Sequence, residues 1–503
     1  MPSEGTAPAA RSASGTRAIA LITAIFGAAF YAVFASGAFS PPGTAFFGHD
    51  IYDYYYRAVL DGRLDLPIRV LRLEGHYTPD GTGFLYHGLA PLMTRFAFGW
   101  AFPFGSFSMA AFSIWFWAVL GTAFYHAAFL KAGHAHFSKN PGHGYVIGLL
   151  LWFAGPGLLL SSNPGLYNEP ISVAFAMTAC VVFLWVRYVA ARVFGWQSLI
   201  LMALCAGLSV HARPNIAIGL YAVTLFAILI VLRSDLKRGV LPAVIALGIL
   251  GLFGSGYVLI NALKFGSPVT THGSFTSGEV QQGFAYWGLE DENSERARGF
   301  NEHGRFNPLR VIPNGLIYTF DLPQSLPPFK EAGRKIRNLY ADTTQPLYGF
   351  VRFEVPRIGI AYLWPGFLLL GAFALRTPRS EFTRYAPLMA GLFLTLLLTL
   401  SYATITLRYR VDLWPFIAVI ALLGLAGLNH STLSAGWNRF AGFALGLCAM
   451  LGISATALAA LIMQIRLTET DIMSRWDFET CVELVVERGF SQERSETLCA
   501  LPS

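Results

Sequence analysis

Long apolar stretches recur along almost the whole chain, and they constrain its fold more than any other feature. An α-helix needs about 20 predominantly apolar residues to cross the hydrocarbon core of a bilayer. Only 13% of the 503 residues are charged, whereas soluble proteins have roughly 25%. We therefore predict an all-α polytopic membrane protein with about 11 transmembrane helices. The candidate spans are 18–38, 107–130, 144–162, 170–187, 196–211, 215–232, 239–262, 358–375, 386–405, 412–428 and 440–463.

Basic residues indicate the orientation of such a protein, because Lys and Arg concentrate in cytoplasmic loops. Every second connection is rich in them and poor in acids, beginning with residues 1–17. This pattern places the N-terminus in the cytoplasm and the C-terminus outside it. The formal charge of +7 belongs to these loops, so it does not indicate binding to nucleic acid. Residues 1–17 are expected to be disordered, and the first apolar run is too long for a cleaved signal peptide.

Three of the outward segments are long, namely 39–106, 263–357 and 464–503. The last one carries Cys481 and Cys499. Outside the cytoplasm we expect a disulfide between them, and the alternative is two free thiols on a loose tail. The other cysteines lie in apolar runs, where they are expected only to pack; they are Cys180, Cys205 and Cys448.

Charged residues lie outside the predicted spans or at their edges, and none lies at a clear midpoint. Ion-coupled transporters hold their ion or proton with ionisable groups near the middle of the membrane. This distribution disfavours a lipid or solute transporter, which we keep as the least favoured alternative.

The segment "GHDIYDYYYRAVLDGRLDLP" follows the first apolar run directly. At helical spacing, Tyr52, Tyr55 and Tyr56 lie on one side and Asp53 lies on the other. We predict an amphipathic helix along the membrane surface, with the tyrosines as interfacial anchors. Asp50 precedes this helix, and a purely structural role as its N-cap is one open alternative.

Five short elements recur in a recognisable order. They are "YYYRAVLDGRL", "YHGLAPLM", "LSVHARPN", "KFGSPV" and "LRYRVDLWPFIAVIA". Across residues 18–430 their order resembles the GT-C superfamily of integral-membrane glycosyltransferases. The resemblance implies a GT-C-like module of helices 1–7 at 18–262, with amphipathic juxtamembrane helices in its first outer loop. It further implies a large periplasmic loop at 263–357 and helices 8–11 at 358–463. The tail at 464–503 resembles no part of that superfamily.

GT-C enzymes take sugars from polyprenyl phosphate and place a catalytic aspartate at the start of the first outer loop. The resemblance therefore implies an inverting hexosyl- or pentosyltransferase of the bacterial inner membrane, with a polyprenyl-phosphate sugar as co-substrate. The acceptor would be a cell-envelope glycan, a lipid or a protein on the periplasmic side. By position, Asp50 would take the proton of the acceptor hydroxyl, and Asp53 is the alternative base.

Three arginines are candidates for binding the donor phosphate. Arg213 follows a short span of about 15 residues, so its charge is expected near the outer interface, where it is costly without an anionic partner. Arg408 and Arg410 precede another short span, and on an extended segment both would point the same way. Simple snorkelling to lipid headgroups is the alternative for all three.

Other polar residues are candidates for auxiliary roles. His87 and Tyr55, both in the first outer loop, are candidates for contacting the acceptor, although a structural histidine would explain His87 equally well. Glu169 lies in a short outer loop and is either near the same site or an acid at a helix N-terminus. The three histidines in "HAHFSKNPGH" lack convincing metal-ligand spacing. We predict no metal site from the sequence, and a requirement for a divalent metal is left open.

Two further functions remain as alternatives to lipid-linked sugar transfer. A polymerase or ligase of lipid-linked glycans would share the large outer loop and the arginines but would not need Asp50. A transporter is disfavoured by the charge distribution described above. The sequence specifies neither the sugar, nor the acceptor, nor the oligomeric state.

Overall fold

The computed structural model describes residues 7–41, 46, 48–101, 108–323, 326–430, 435–466 and 478–500. It consists almost wholly of helices, and the prediction of an all-α polytopic membrane protein is confirmed. Parts of the predicted segments 1–17, 39–106 and 464–503 lie outside the described residues; these parts are 1–6, 42–45, 47, 102–106, 467–477 and 501–503.

The described helices are numbered in chain order. They are α1 (Ala7–Ala35), α2 (Ile51–Leu60), α3 (Ile68–Leu71), α4 (Met93–Phe98), α5 (Ala110–Ala132), α6 (His134–Lys139), α7 (Pro141–Leu149), α8 (Pro156–Ser161), α9 (Asn168–Ala191), α10 (Trp196–Val210), α11 (Pro214–Ser234), α12 (Leu236–Phe265), α13 (Gly283–Tyr286), α14 (Glu295–His303), α15 (Val311–Phe320), α16 (Pro327–Tyr348), α17 (Ile360–Leu363), α18 (Pro365–Ala372), α19 (Arg379–Ser401), α20 (Leu407–His430), α21 (Ala435–Arg466), α22 (Phe478–Glu487) and α23 (Gln492–Cys499).

Among the described residues, nine helical segments are long and apolar enough to cross a membrane. They coincide with nine of the predicted spans. The other two predicted spans, 196–211 and 358–375, correspond to the shorter apolar helices Trp196–Val210 and Pro365–Arg376. The apolar pattern therefore locates all the long helices of the bundle.

Two of the spans differ in detail from the prediction. The helix that contains the first span begins at Ala7 rather than at residue 18, and its apolar part covers Ala18–Ala35. The third span, Pro141–Ser161, is composite, because a π-helical turn at Leu150–Ala154 joins α7 to α8. Gly155 and Pro156 follow that turn, and they restart the helix in the usual way, with proline at its first position.

Glycine allows close contact between membrane helices at several crossings, among them that of α11 and α19. A Cβ atom on Gly391 of α19 would lie 2.4 Å from Val223 Cγ2 and 2.7 Å from the carbonyl oxygen of Gly219, both on α11. Small residues let two helix backbones approach in this way, and in a bilayer such packing supplies much of the association energy. The α11–α19 crossing therefore keeps the outer ends of both helices together.

In the part of the chain that the structure describes, five two-residue strands connect the loops predicted to lie outside. They are β1 (His76–Tyr77), β2 (Gly83–Phe84), β3 (Gln281–Gln282), β4 (Arg352–Phe353) and β5 (Thr404–Ile405). The first three form an antiparallel sheet in the order β2-β1-β3, with His76 opposite both Phe84 and Gln282. Strands β4 and β5 are parallel, with Arg352 opposite Thr404. The long loop therefore pairs with the first loop at one sheet and with the segment before α20 at the other.

Connections predicted to share a side of the membrane contact one another. The strands join the first, long and late outer loops, as described above. At the other end of the bundle, the side chain of Asn429 accepts a hydrogen bond from the His136 amide at 2.9 Å and donates one to the Ala132 carbonyl at 2.7 Å. The elements around the outer loops therefore form one assembly, and it contains the cavities described below.

Helix α2 forms where the sequence predicts a helix, but its environment differs from the prediction. Tyr52 and Tyr55 are fully buried in a cluster with Leu85 and Leu92 of the first loop, rather than exposed at the membrane surface. The loop covers these rings, and the Lys264 ammonium lies 5.0 Å from the Tyr55 ring. The interpretation of these tyrosines as interfacial anchors is therefore wrong.

The two C-terminal helices pack on the same cluster. Cys481 of α22 and Cys499 of α23 form a disulfide, and both are buried against the first loop. We call residues 478–500 the C-terminal hairpin. The Arg488 guanidinium of this hairpin lies 4.8 Å from the Tyr286 ring, in the long loop next to β3. The hairpin thus supports the β1–β3 sheet from outside.

Replacing both Cys481 and Cys499 with Ser should loosen the C-terminal hairpin. Cross-linking residues 18 positions apart stabilises a fold by about 3 kcal/mol through the unfolded chain, which is large for so small a unit. Hydrogen exchange followed by mass spectrometry should become faster across 478–500. The control variant Cys448→Ser changes a free cysteine in α21 and should leave this exchange unchanged; equal exchange rates in the two variants would contradict the prediction.

Candidate functional site

A cavity of about 550 Å³ lies where the first loop, the long loop and the start of α20 meet. We call it cavity A. Most of its walls are polar. Its charged, imidazole and amide side chains are Glu74, His76, Asn163, Asn168, His272, Gln282, Arg296, Arg352, Glu354 and Arg408, and its rings are Tyr86, Tyr167, Phe284, Phe353, Tyr402 and Tyr409.

Glu74 is positioned in cavity A by the strand that follows it. It ends a short helical turn, Arg72–Glu74, just before β1. The Tyr167 hydroxyl donates a hydrogen bond to Glu74 Oε2, and the Arg408 guanidinium lies 4.0 Å from the centre of the Tyr167 ring. Burial raises the pKa of Glu74 above its ordinary value, although Tyr167 and Arg408 act in the opposite direction. A carboxyl group of this kind is suited to proton transfer.

Glu354 is the second carboxylate of cavity A, and its surroundings differ. Arg408 donates to it at 2.6 Å, and the Arg352 guanidinium lies 3.7 Å away. Burial alone would raise the pKa of Glu354, but the two arginines bring it below its ordinary value. Glu354 is therefore a fixed anion that orients Arg408. Two carboxylates whose pKa values are shifted in opposite directions are typical of a site that transfers protons.

A second cavity, of about 350 Å³, adjoins cavity A; we call it cavity B. The two share the walls formed by Tyr86, His272, Tyr402 and Tyr409. Cavity B lies among the outer ends of α11, α12 and α19. Its lining from these helices and from the long loop is largely apolar and includes Pro214, Ile218, Tyr257, Phe306 and Leu398. Ile218 is 51% exposed, on the side of the helix bundle that would face lipid.

Arg213 is held at cavity B by a buried acid. Its guanidinium forms an ion pair with Asp412, whose side chain is 2% exposed, and Asn215 donates to the same carboxylate at 3.1 Å. The Arg213 guanidinium also lies 5.1 Å from the Tyr409 ring. Its Nε atom is buried and has no hydrogen-bond partner among the described residues. The arginine is thus fixed in place while part of its donor capacity is unused.

His87, which the sequence offers as a candidate for contacting the acceptor, lines cavity B together with Arg213. It is buried, and within the described part of the chain neither ring nitrogen has a hydrogen-bond partner. Burial, reinforced by the nearby charge of Arg213, lowers the pKa of His87 well below its ordinary value. A neutral imidazole offers one donor and one acceptor, so His87 is suited to binding an uncharged polar group.

The structure places the two predicted catalytic aspartates elsewhere. Asp53 accepts a hydrogen bond from Arg95 at 2.7 Å, and Arg95 also pairs with Glu169 at the first turn of α9. Asp53 and Glu169 are thus counter-ions of a buried arginine. Asp50 precedes α2 at the N-cap position, where its carboxylate caps no backbone N–H among the described residues. Asp50, Asp53 and Glu169 are all absent from the described lining of cavities A and B.

Two other candidates, Arg410 and Tyr55, also lie away from both cavities. Arg408 and Arg410 do not point the same way, because the segment is already helical at Leu407 rather than extended. Arg408 lines cavity A, whereas Arg410 is buried next to Asp321, 3.8 Å away. Tyr55 packs in the interior of the first loop. Neither Arg410 nor Tyr55 is among the described residues that line cavity A or B.

Several residues of the site carried no signal in the sequence. Glu74 and Glu354 have no motif around them, and Asp412, the first residue of the predicted span 412–428, is far in the sequence from its partner Arg213. Tyr167 and Asn168 belong to the short loop that drew attention only through Glu169. Only contacts between distant segments bring these side chains together. Within the described residues, no group of three His, Cys, Asp or Glu side chains could hold a metal ion.

Arg95→Met should destabilise the protein strongly. Arg95 is 1% exposed and forms ion pairs with both Asp53 and Glu169, and removing one partner of a buried ion pair costs about 3 to 5 kcal/mol. Arg63→Met is the matched control, because Arg63 pairs with Asp65 at the surface with 47% of its side chain exposed. Unfolding measured in detergent should shift strongly for the first variant and little for the second. Similar shifts in the two would contradict the role assigned to Arg95.

Comparison with known proteins adds one similarity. No family model matches the sequence, and neither does any curated protein. Among solved structures, the chain is similar to the archaeal oligosaccharyltransferase AglB from Archaeoglobus fulgidus, in complex with an inhibitory peptide and a dolichol-phosphate. The sequence identity is 14% and the TM-score is 0.49; the alignment covers 96% of this chain and 60% of that one. The chain therefore spans about 60% of the length of AglB, and its function has to be inferred from its own cavities.

Proposed function

We propose that this protein is an inverting glycosyltransferase that moves a sugar from a polyprenyl-phosphate donor to an acceptor at cavity A. One observation carries the proposal: a polar cavity with a carboxyl group of raised pKa adjoins a largely apolar one that holds a fixed arginine. The motifs that resemble the GT-C superfamily point to the same activity. The Lys and Arg pattern of the loops supports an inner-membrane enzyme whose cavities face the periplasm.

The proposed donor fits the two cavities in one orientation, with its lipid end at cavity B and its sugar end at cavity A. Its prenyl chain would lie against the apolar helix ends at cavity B, and its phosphate would meet the unused N–H of Arg213. The Arg213 guanidinium lies 5.1 Å from the ring of Tyr409, which both cavities share, and Arg408 lines cavity A next to the same tyrosine in the sequence. A phosphate at this position would be near both guanidinium groups. The sugar would then extend into cavity A.

The transfer step uses groups that the chain itself supplies. The Glu74 carboxylate takes the proton of the acceptor hydroxyl, and the hydroxyl oxygen forms a bond to the anomeric carbon of the sugar. The bond between that carbon and the phosphate oxygen breaks on the opposite face. The phosphate leaves with the electron pair, and Arg213 and Arg408 stabilise its additional negative charge. The products are the glycosylated acceptor with inverted configuration and free polyprenyl phosphate.

Glu74→Gln should lower the rate of sugar transfer at least about 100-fold, because a positioned general base contributes roughly this much or more. Transfer from a radiolabelled polyprenyl-phosphate sugar by the purified protein in liposomes would measure it. In the unchanged protein, the rate of transfer should decrease as the pH is lowered, because Glu74 becomes protonated. Since burial raises the pKa of Glu74, this decrease should occur at a pH above about 4.3, the ordinary pKa of Glu. The residual activity of Glu74→Gln should not show this decrease at low pH.

Asp50→Asn is the matched comparison, because Asp50 is the base that the sequence predicts. If Glu74 is the base, this variant keeps most of its activity and shows the same decrease in rate at low pH. If instead Asp50→Asn abolishes transfer while Glu74→Gln leaves it intact, the catalytic base is Asp50 and cavity A has another role.

Arg213→Lys should raise the KM for the lipid donor about tenfold, with a smaller effect on kcat. Lysine keeps the positive charge beside Asp412 but lacks the planar fork that can hold a phosphate and a carboxylate together. Arg410→Lys is the control, since Arg410 also lies beside a buried acid and is even less exposed than Arg213, but lines neither cavity among the described residues. A comparable rise of KM in Arg410→Lys would contradict the phosphate position.

A further inference from the structure

Three amide side chains in cavity A combine burial with unused hydrogen-bonding atoms. Asn163 Oδ1, Asn168 Oδ1 and Gln282 Nε2 are buried, and none has a partner within the described part of the chain. Asn168 is 2% exposed and Gln282 is 4% exposed. A buried polar atom without a partner is costly, and buried polar groups in folded proteins are nearly always paired. Three such atoms around one cavity therefore indicate a ligand that supplies the missing partners.

The backbone holds each of these amides in place. Asn168 begins α9, and its Nδ2 atom donates to the Leu160 carbonyl at 3.2 Å, which directs Oδ1 away from that helix end. Gln282 lies in β3 opposite His76. The next residue is Gly283, where a Cβ atom would lie 2.2 Å from the Leu73 carbonyl oxygen. Only glycine permits this approach, which brings β3 against the turn that carries Glu74.

The chemistry of the free atoms favours hydroxyl groups. Two of the atoms are acceptors and one is a donor, and a hydroxyl can donate to the first kind and accept from the second. None of the three is charged, so the set does not select an ion. Aromatic rings complete the walls, among them Tyr86, Phe284 and Phe353. The apolar face of a sugar ring packs on such rings while its hydroxyls reach the amides.

A peptide fits this cavity less well. Extended peptides commonly bind by adding a strand to an open sheet edge. In the described residues, the outer edges of the β2-β1-β3 sheet are already paired, since Asp65 bridges Phe84 on one side and Ser274 bridges Gln281 on the other. The β2-β1-β3 sheet therefore offers no free edge for main-chain pairing among the described residues.

On these grounds we infer that cavity A binds a carbohydrate acceptor, and that Asn163, Asn168 and Gln282 recognise the hydroxyl groups of its terminal sugar. The inference rests on the proposed function and makes it more specific, since it selects a glycan over a protein as the acceptor. Glu74 borders the same space, so the recognised sugar would present its reacting hydroxyl to that carboxylate.

The test measures sugar binding with no lipid donor present, so that it is separate from transfer activity. The protein in lipid nanodiscs is examined by saturation-transfer-difference NMR with methyl glycosides of glucose, galactose, mannose and arabinose. An acetylated pentapeptide of alanine, serine, threonine and asparagine serves as the alternative probe. We expect at least one glycoside to bind and the pentapeptide not to bind.

Gln282→Glu keeps the shape of the side chain but exchanges its donor for an acceptor, and it should weaken glycoside binding about tenfold. Gln281→Glu is the control, because Gln281 is the neighbouring residue of β3, donates instead to the Phe275 carbonyl, and is not among the described lining residues of cavity A. Asn163→Ala, at a half-buried loop position, is a second variant that should weaken binding in the same direction.

Three results would overturn the inference: binding of none of the glycosides, binding of the pentapeptide in their place, or equal weakening by Gln282→Glu and Gln281→Glu. Glycoside binding that persists in Glu74→Gln but disappears in Gln282→Glu would support it, whatever the transfer assay gives. Failure of the transferase proposal itself would appear as the absence of transfer from the lipid donor in the unchanged protein.

Discussion

Pairing of buried charges ties the outer loops to the membrane helices, and the cavities depend on it. A guanidinium removed from water is costly unless a carboxylate compensates it. Arg95 of the first loop meets Glu169 of α9, 74 residues away, and Arg408 of α20 meets Glu354 of the long loop, 54 residues away. Such pairs keep their loops close to the helix ends, because separation would leave charges unpaired. The space between loops and helices therefore has defined walls.

The same pairing decides which carboxylate of cavity A is available for chemistry. Glu354 is committed to Arg408 and Arg352, and these charges lower its pKa. Glu74 has an uncharged hydrogen-bond partner, the Tyr167 hydroxyl, and burial dominates its pKa. One acid thus maintains the position of an arginine, and the other retains an affinity for protons. Their different partners, rather than the residue type, produce this division.

Apolar patterning predicted the helices well, because each span is determined by its own residues. The site was predicted less well, because it depends on contacts between distant segments. The short span before Arg213 predicts that its charge needs an anionic partner, but nothing in the sequence identifies that partner as Asp412, 199 residues away. Arg408 and Arg410 were treated alike on an assumed extended backbone; the helix directs them to different surroundings.

The two aspartates after the first span show the same limit. Helical spacing places Asp53 on the polar side of α2, the side of an amphipathic helix that normally faces water. Arg95 reverses this, because a buried cation on α4 recruits Asp53 into the interior. Residue spacing defines the faces of a helix, but the neighbouring chain decides which face is exposed to water. The motif that contains Asp50 likewise indicated where this residue lies along the chain. It did not indicate how far the Asp50 carboxylate is from a cavity.

Two adjoining cavities of different character suit a substrate with two different ends. A lipid-linked sugar has an apolar chain, a charged phosphate and a hydroxylated ring in series. Cavity B offers helix ends and Arg213, Tyr409 belongs to the wall that the cavities share, and cavity A offers Arg408, amides and rings. In the proposed transferase, different segments supply these parts, so affinity for the lipid and selectivity for the acceptor would be separate properties. A change of acceptor would then require changes only in the loops of cavity A, and not in the helices at cavity B.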